Sequence, residues 1–213
     1  MPLLTMNRRF ALTAMAAAGV LGTLPAAAAE LPRDTSATAR QLVRWATETG
    51  DHQGLPFAVI DKPAARIHVF SAQGQWLSSA PVLLGAALGD RSAPDIGQRP
   101  LSQIRPEERT TPAGRFVTEP GRNLRGDDIV WIDYESAVSL HRVRSVHAAE
   151  RRQQRLASRG VSDKRISYGC VNAPEAFYNQ FIAPVFGQAR GVVYVLPDTE
   201  PFATFFIAAS TYS

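Results

Sequence analysis

Apolar residues recur along this chain with two periods, and the change from one to the other divides it. Over 35–49, Leu42, Val43, Trp45 and Ala46 return at helical spacing, with Thr35 or Ser36 placed as the cap and 50–54 as the stop. From Pro56 the period drops to two. The pattern predicts strands at 57–60, at 66–70, where Ile67 and Val69 share a face, and at 76–84, joined by turns at 63–65 and 72–74 into an antiparallel meander. Residues 85–112 carry Gly, Pro, Arg and Asp without a period and read as a long surface loop, a kind that in compact domains is usually functional or mobile. Strand character returns at 115–118, 129–133 and 137–140. An arginine-rich helical stretch follows at 148–158. A second helix is expected at 172–186, with Ala176, Phe177, Phe181 and Ile182 inward, and a last strand at 192–196.

The N-terminus does not belong to this pattern. Arg8 and Arg9, an apolar run over 10–24 and small residues over 25–29 have the layout of a secretory signal with A-x-A cleavage after Ala28 or Ala29. An uncleaved membrane anchor is the second reading. The arginine pair loosely resembles a twin-arginine signal, so the export route stays open, and Met6 serves equally well as a start. Losing Arg8 and Arg9 lowers the formal charge of +4 by two. Such a mildly basic, exported chain argues against a nucleic-acid partner. The expected organisation is a signal at 1–29, an N-terminal helical segment at 30–55, a catalytic-type domain at 56–200 and a tail at 201–213. One domain with a sizeable core fits that length.

The single cysteine, Cys170, cannot form an intramolecular disulfide. In an oxidising compartment it is either buried and inert or kept for reactivity. Asn172 and Glu175 have capping-box spacing, which sets Cys170 just before a helix N-terminus whose dipole favours a thiolate. A drop of about two units from a free pKa near 8.5 raises the reactive fraction more than tenfold at pH 7. Gly169 lets a substrate carbonyl approach, and the amides of Gly169 and Cys170 are candidate oxyanion donors. For the base, His141 at the end of a strand ranks ahead of His147, with His52 and His68 far upstream. Each residue also has a plain structural reading: the cysteine as a small core residue, the histidine as a hydrogen-bonding group. One Cys and four scattered His lack zinc spacing, and neither a metal nor a cofactor is expected.

The motifs occur together and in order. Residues 57–62 (FAVIDK) followed by 66–70 (RIHVF) resemble the opening hairpin of the L,D-transpeptidase catalytic domain family. Thr111-Pro112-Ala113-Gly114-Arg115-Phe116 resembles its Thr-Pro-x-Gly-x-Phe turn, and Ser167-x-Gly169-Cys170-Val171-Asn172 its cysteine signature. The resemblance covers residues 56–197. It implies a β-sandwich with flanking helices, the nucleophile at a strand-to-helix junction, and acyl transfer on peptidoglycan stem peptides in the periplasm or cell envelope. Cys170 is then the nucleophile and His141 the base, with Ser167 and Gly169 at motif positions.

Tyr168 stands where the family often has His. The gap from His141 to Ser167 is longer than usual in the family, and the extra length holds Glu150, Arg151, Arg152 and Arg155. Either an inserted helix flanks the cleft or His147 is the base. Arg144, Arg151, Arg155 and above all Arg165 are candidates for pairing with stem-peptide carboxylates, along with Tyr168 and Asn172 as substrate contacts. The plain reading makes Arg151, Arg152 and Arg155 one solvated helix face. An L,D-carboxypeptidase using water, a non-catalytic wall-binding module and an unrelated cysteine peptidase remain as alternatives.

Overall fold

A computed structural model of the chain describes residues 30–144 and 147–212; the leader read from residues 1–29 lies outside them. The architecture is mainly β with flanking helices. Eleven strands are present among the described residues: β1 Phe57–Asp61, β2 Arg66–Phe70, β3 Trp76–Pro81, β4 Leu84–Gly85, β5 Gly114–Val117, β6 Glu119–Arg122, β7 Asp128–Asp133, β8 Val138–Arg142, β9 Arg165–Ser167, β10 Val171–Ala173 and β11 Val192–Val195. They form a five-stranded sheet in the order β3-β2-β1-β11-β5, a four-stranded sheet in the order β10-β8-β7-β6, and the small pair β4-β9. The meander expected from the period-two pattern is the antiparallel β1-β2-β3 part of the first sheet.

The two larger sheets pack face to face. Ala58, Ile60, Ile67 and Val69 of the first meet Val130 and Leu140 of the second in one core cluster, because alternate residues of a strand point to the same face. The other face of the first sheet, carrying Phe57, Val59, Phe70 and Tyr194, is covered by helix α1 (Ala37–Thr49) through Leu42 and Ala46. Ser36 caps α1 by accepting the Ala39 amide at 3.1 Å, and Gly50 closes it with a left-handed φ of 70°. The segment expected as a tail folds back onto this layer as α5 (Phe202–Phe205) and α6 (Ile207–Ser210), burying Phe206 and Ala209.

The helix expected over 172–186 starts later. Helix α3 spans Glu175–Phe177, passes through a wide π turn over Tyr178–Ile182 and continues as α4, Ala183–Phe186. Pro174 disfavours helical backbone at Ala173, and Val171, Asn172 and Ala173 are all buried in β10, paired in parallel with β8. Pro184 lacks the N–H that an α turn would direct to the residue four positions back, and the wide turn falls there. The arginine-rich stretch becomes a 3₁₀ turn, Ala148–Glu150, and helix α2, Arg152–Ala157. The loop expected over 85–112 holds three short 3₁₀ turns and packs against the segment that carries Cys170. Among the described residues no helix is long and apolar enough to cross a membrane.

Candidate active site

The face of the four-stranded sheet turned away from the shared core collects the polar chemistry. On β8, inward Val138 and Leu140 alternate with Ser139 and His141; on β10, inward Val171 and Ala173 flank Asn172, the register partner of His141. Cys170 precedes β10 directly, which sets its half-buried thiol over β8, with Sγ 3.6 Å from Ser139 Oγ and 3.7 Å from the Ala137 carbonyl oxygen. Burial pushes the thiol up. The hydrogen bond and charge of His141, together with the Ser139 amide and hydroxyl, outweigh burial and hold the thiol below its ordinary value.

The imidazole is fixed from two sides. His141 Nδ1 lies 2.7 Å from the Arg142 carbonyl oxygen; a carbonyl only accepts, so Nδ1 carries the proton and Nε2 keeps a lone pair. Asn172, fully buried, sets Nδ2 3.3 Å from Nε2 and 3.3 Å from the Cys170 carbonyl oxygen, while its Oδ1 accepts Arg152 Nη1 at 2.5 Å. A guanidinium only donates, so Arg152 dictates which end of the amide faces His141. A backbone carbonyl thus occupies the orienting position beside the histidine that a carboxylate often fills. His147 is exposed at the start of the Ala148–Glu150 turn. His52 and His68 are buried elsewhere, against the Leu55 carbonyl and the Ser79 hydroxyl.

Several expectations need correction. The lowered thiol does not owe its state to a helix dipole, because β10 and Pro174 stand between Cys170 and α3. Asn172 is no helix cap and no exposed substrate contact; it is buried beside His141. The Gly169 amide is taken by Ser167 Oγ at 3.1 Å, and Ser167 in turn donates to the Cys170 carbonyl at 2.6 Å, which leaves the Cys170 amide as the candidate oxyanion donor. Gly169 is glycine for a reason other than substrate approach. At its φ of 134° an added Cβ would lie 2.7 Å from the Thr110 carbonyl oxygen.

Arg165 is turned inward. Its Nη2 pairs with Asp198 at 2.6 Å and its side chain is 8% exposed, so it is not presented to a carboxylate ligand. Arg144 is paired with Asp127, and Tyr168 lies exposed under the Arg109 guanidinium, 4.2 Å from its ring centroid. Arg151, Arg152 and Arg155 are not one solvated face: Arg152 reaches Asn172, and Arg155 donates to the Glu150 and Asp163 carbonyls. Sequence reasoning missed Ser139 and the site role of Arg152. The period of two in Ser139-Leu140-His141 was a usable signal for the first. Among the described residues no group of three or more His, Cys, Asp or Glu is arranged to hold a metal ion.

No protein-family model matches the chain, and no curated protein matches it. Solved L,D-transpeptidases are among its structural neighbours. An LD transpeptidase, LdtMt1, in complex with imipenem is 19% identical with a TM-score of 0.38, over 66% of this chain and 58% of that one. The catalytic domain of the E. faecium L,D-transpeptidase is 18% identical with a TM-score of 0.33, over 66% and 96%. The helical cell shape determining protein Pgp2 from Campylobacter jejuni is 11% identical with a TM-score of 0.43, over 78% and 58%. The chain therefore spans less than two thirds of the first of these, and at such identities and TM-scores the functional reading rests on the site itself.

Proposed function

We propose that this protein is an exported peptidoglycan L,D-transpeptidase with Cys170 as nucleophile and His141 as base. The observation that carries the reading is a Cys170 thiol held below its ordinary value by His141, whose Nδ1 proton is committed to the Arg142 carbonyl; the Nε2 lone pair, which Asn172 Nδ2 faces at 3.3 Å, takes the thiol proton when that contact gives way. Sγ attacks the carbonyl that follows the L-centre of a stem-peptide donor as the thiol proton passes to Nε2. The Cys170 amide donates to the oxyanion of the tetrahedral intermediate. Collapse breaks the peptide bond, and the imidazolium returns the proton to the amino group of the departing D-residue. An acceptor amine then attacks the thioester, gives its proton to His141 and releases the thiol. Stem peptides are the partner, and the periplasm or cell envelope is the place. Ser167 shapes the turn by bridging two of its backbone groups.

Water in place of the amine makes the same site an L,D-carboxypeptidase, with every named residue unchanged. Incubating the protein and its Cys170→Ala variant with muropeptides and weighing the products separates the readings. Cross-linked stems that need Cys170 are the expected result, and stems merely shortened by one residue mean the carboxypeptidase. Unaltered muropeptides, or products that survive Cys170→Ala, reject both.

A further inference from the structure

The peptide group joining Gly169 to Cys170 is held from outside its own loop. Thr111 Oγ1 donates to the Gly169 carbonyl at 2.7 Å and accepts the Gly85 amide at 2.9 Å. A hydroxyl has one proton, and the Gly85 amide is itself a donor, so that proton goes to Gly169. Among the described residues no peptide bond is cis, so the Cys170 N–H points away from the carbonyl that Thr111 grips. Thr111 is fully buried and is locked from behind. Its own carbonyl accepts Lys62 Nζ at 2.7 Å, and the same ammonium donates to the Gly89 carbonyl and to Asp90 Oδ1, each also at 2.7 Å. Three acceptors match the three protons of the ammonium. Asp90 in turn accepts the amides of Asp198, Thr199 and Glu200, which ties the 85–112 loop to the chain beyond β11.

We propose that Thr111 is the positioning residue of the oxyanion donor: its hydroxyl fixes the plane of the Gly169–Cys170 peptide and so aims the Cys170 amide. This rests on the acyl-transfer reading of Cys170. Donation to the carbonyl also polarises the peptide unit and strengthens its N–H as a donor. Lys62 acts one step further back, holding the Thr111 backbone where the hydroxyl reaches Gly169. A purely architectural Thr111 would affect every reaction of the sulfur alike. A positioning Thr111 affects only those that pass through an oxyanion.

Two reagents separate these cases at one atom. Iodoacetamide forms an S–C bond and breaks a C–I bond with no oxyanion, whereas imipenem forms an S–C bond at the lactam carbonyl through an oxyanion and breaks the C–N bond, the thiol proton passing to nitrogen. In Thr111→Val, which keeps the branched shape and loses the hydroxyl, acylation should fall about 10- to 100-fold while alkylation stays within about twofold. Thr111→Ser should restore most of the acylation. An equal fall in both rates, no change in either, or no rescue by serine overturns the proposal. A direct reading needs no turnover and no valine variant: the ¹³C shift of the Gly169 carbonyl in glycine-labelled protein should respond to deuteration of the Thr111 hydroxyl, and a silent carbonyl also overturns it. If the wild-type sulfur is alkylated but never acylated, the acyl-transfer reading fails, and the carbonyl shift still decides whether Thr111 holds the peptide.

Discussion

The two large sheets share one core and differ on their outer faces. The β3-β2-β1-β11-β5 sheet is covered on its far side by α1, α5 and α6, so β1 and β11 are buried along their whole length and read as near-continuous apolar runs. The β10-β8-β7-β6 sheet carries polar groups on its far side, where the alternation brings Ser139, His141 and Asn172 together under Cys170, with Arg152 reaching over Asn172. An apolar outer face serves stability; a polar outer face supported by the same core can carry reactive groups at fixed spacing. Changes on the two outer faces should therefore separate stability from chemistry.

The largest effect is expected on the covered face. Phe206, 4% exposed, lies 6.3 Å from the Tyr194 ring and 5.2 Å from the Phe202 ring. Phe206→Ala should cost about 3–5 kcal/mol in denaturant unfolding and leave the acylation rate of the surviving folded protein close to that of the wild type. A marked fall in that rate would mean the two faces are coupled.

Next is pH. His68 on β2 is fully buried; burial first and then the Arg66 charge push its pKa down from 6.5 to about 4. The fold binds the neutral ring and the unfolded chain binds the proton more readily. The contribution is therefore complete above about pH 6.5 and drains as pH falls toward about 4, by roughly 3 kcal/mol in all. Thermal melts of the wild type and His68→Gln across that window should converge at low pH, and parallel curves would remove His68 from the account.

The smallest effect in free energy, though the most telling, is on the polar outer face. His141→Ala should slow acylation of Cys170 about 10²-fold, close to 2.7 kcal/mol of barrier, with little loss of stability. His147→Ala should cost almost nothing. Stopped-flow acylation that ranks the two the other way would move the base to the exposed histidine.

How far the sequence could be read follows the same division. The meander, β5, β7, β8 and β11 show in their local patterns because a two-sided or one-sided core imposes a period. β6 does not: its Glu-Pro-Gly-Arg has no apolar alternation, and it holds an edge through pairing with β7. The strands β4, β9 and β10 are two or three residues long, and their partners lie far off in the chain, as with Leu84 and Arg165. The capping-box spacing of Asn172 and Glu175 was coincidental, and Pro174 was the stronger local signal. Cys170 and His141 could be singled out as a candidate pair, and the structure brings them to adjoining strands. Arg165 misled, because a cation beside the motif looks available until Asp198, 33 positions later, is found against it.

The central place of β11 bears on how the chain assembles. It pairs in parallel with β1 from register position Phe57↔Val192 onward and antiparallel with β5 on its other edge, so the strand that joins the sheet's two parts is synthesised after every other strand of that sheet. The β1-β2-β3 meander can form from local contacts, but its union with β5 waits on loop closure across more than half the chain, a slow kind of nucleation. A nascent chain stopped short of Val192 would hold two unjoined pieces with open edges rather than a smaller version of the same sheet.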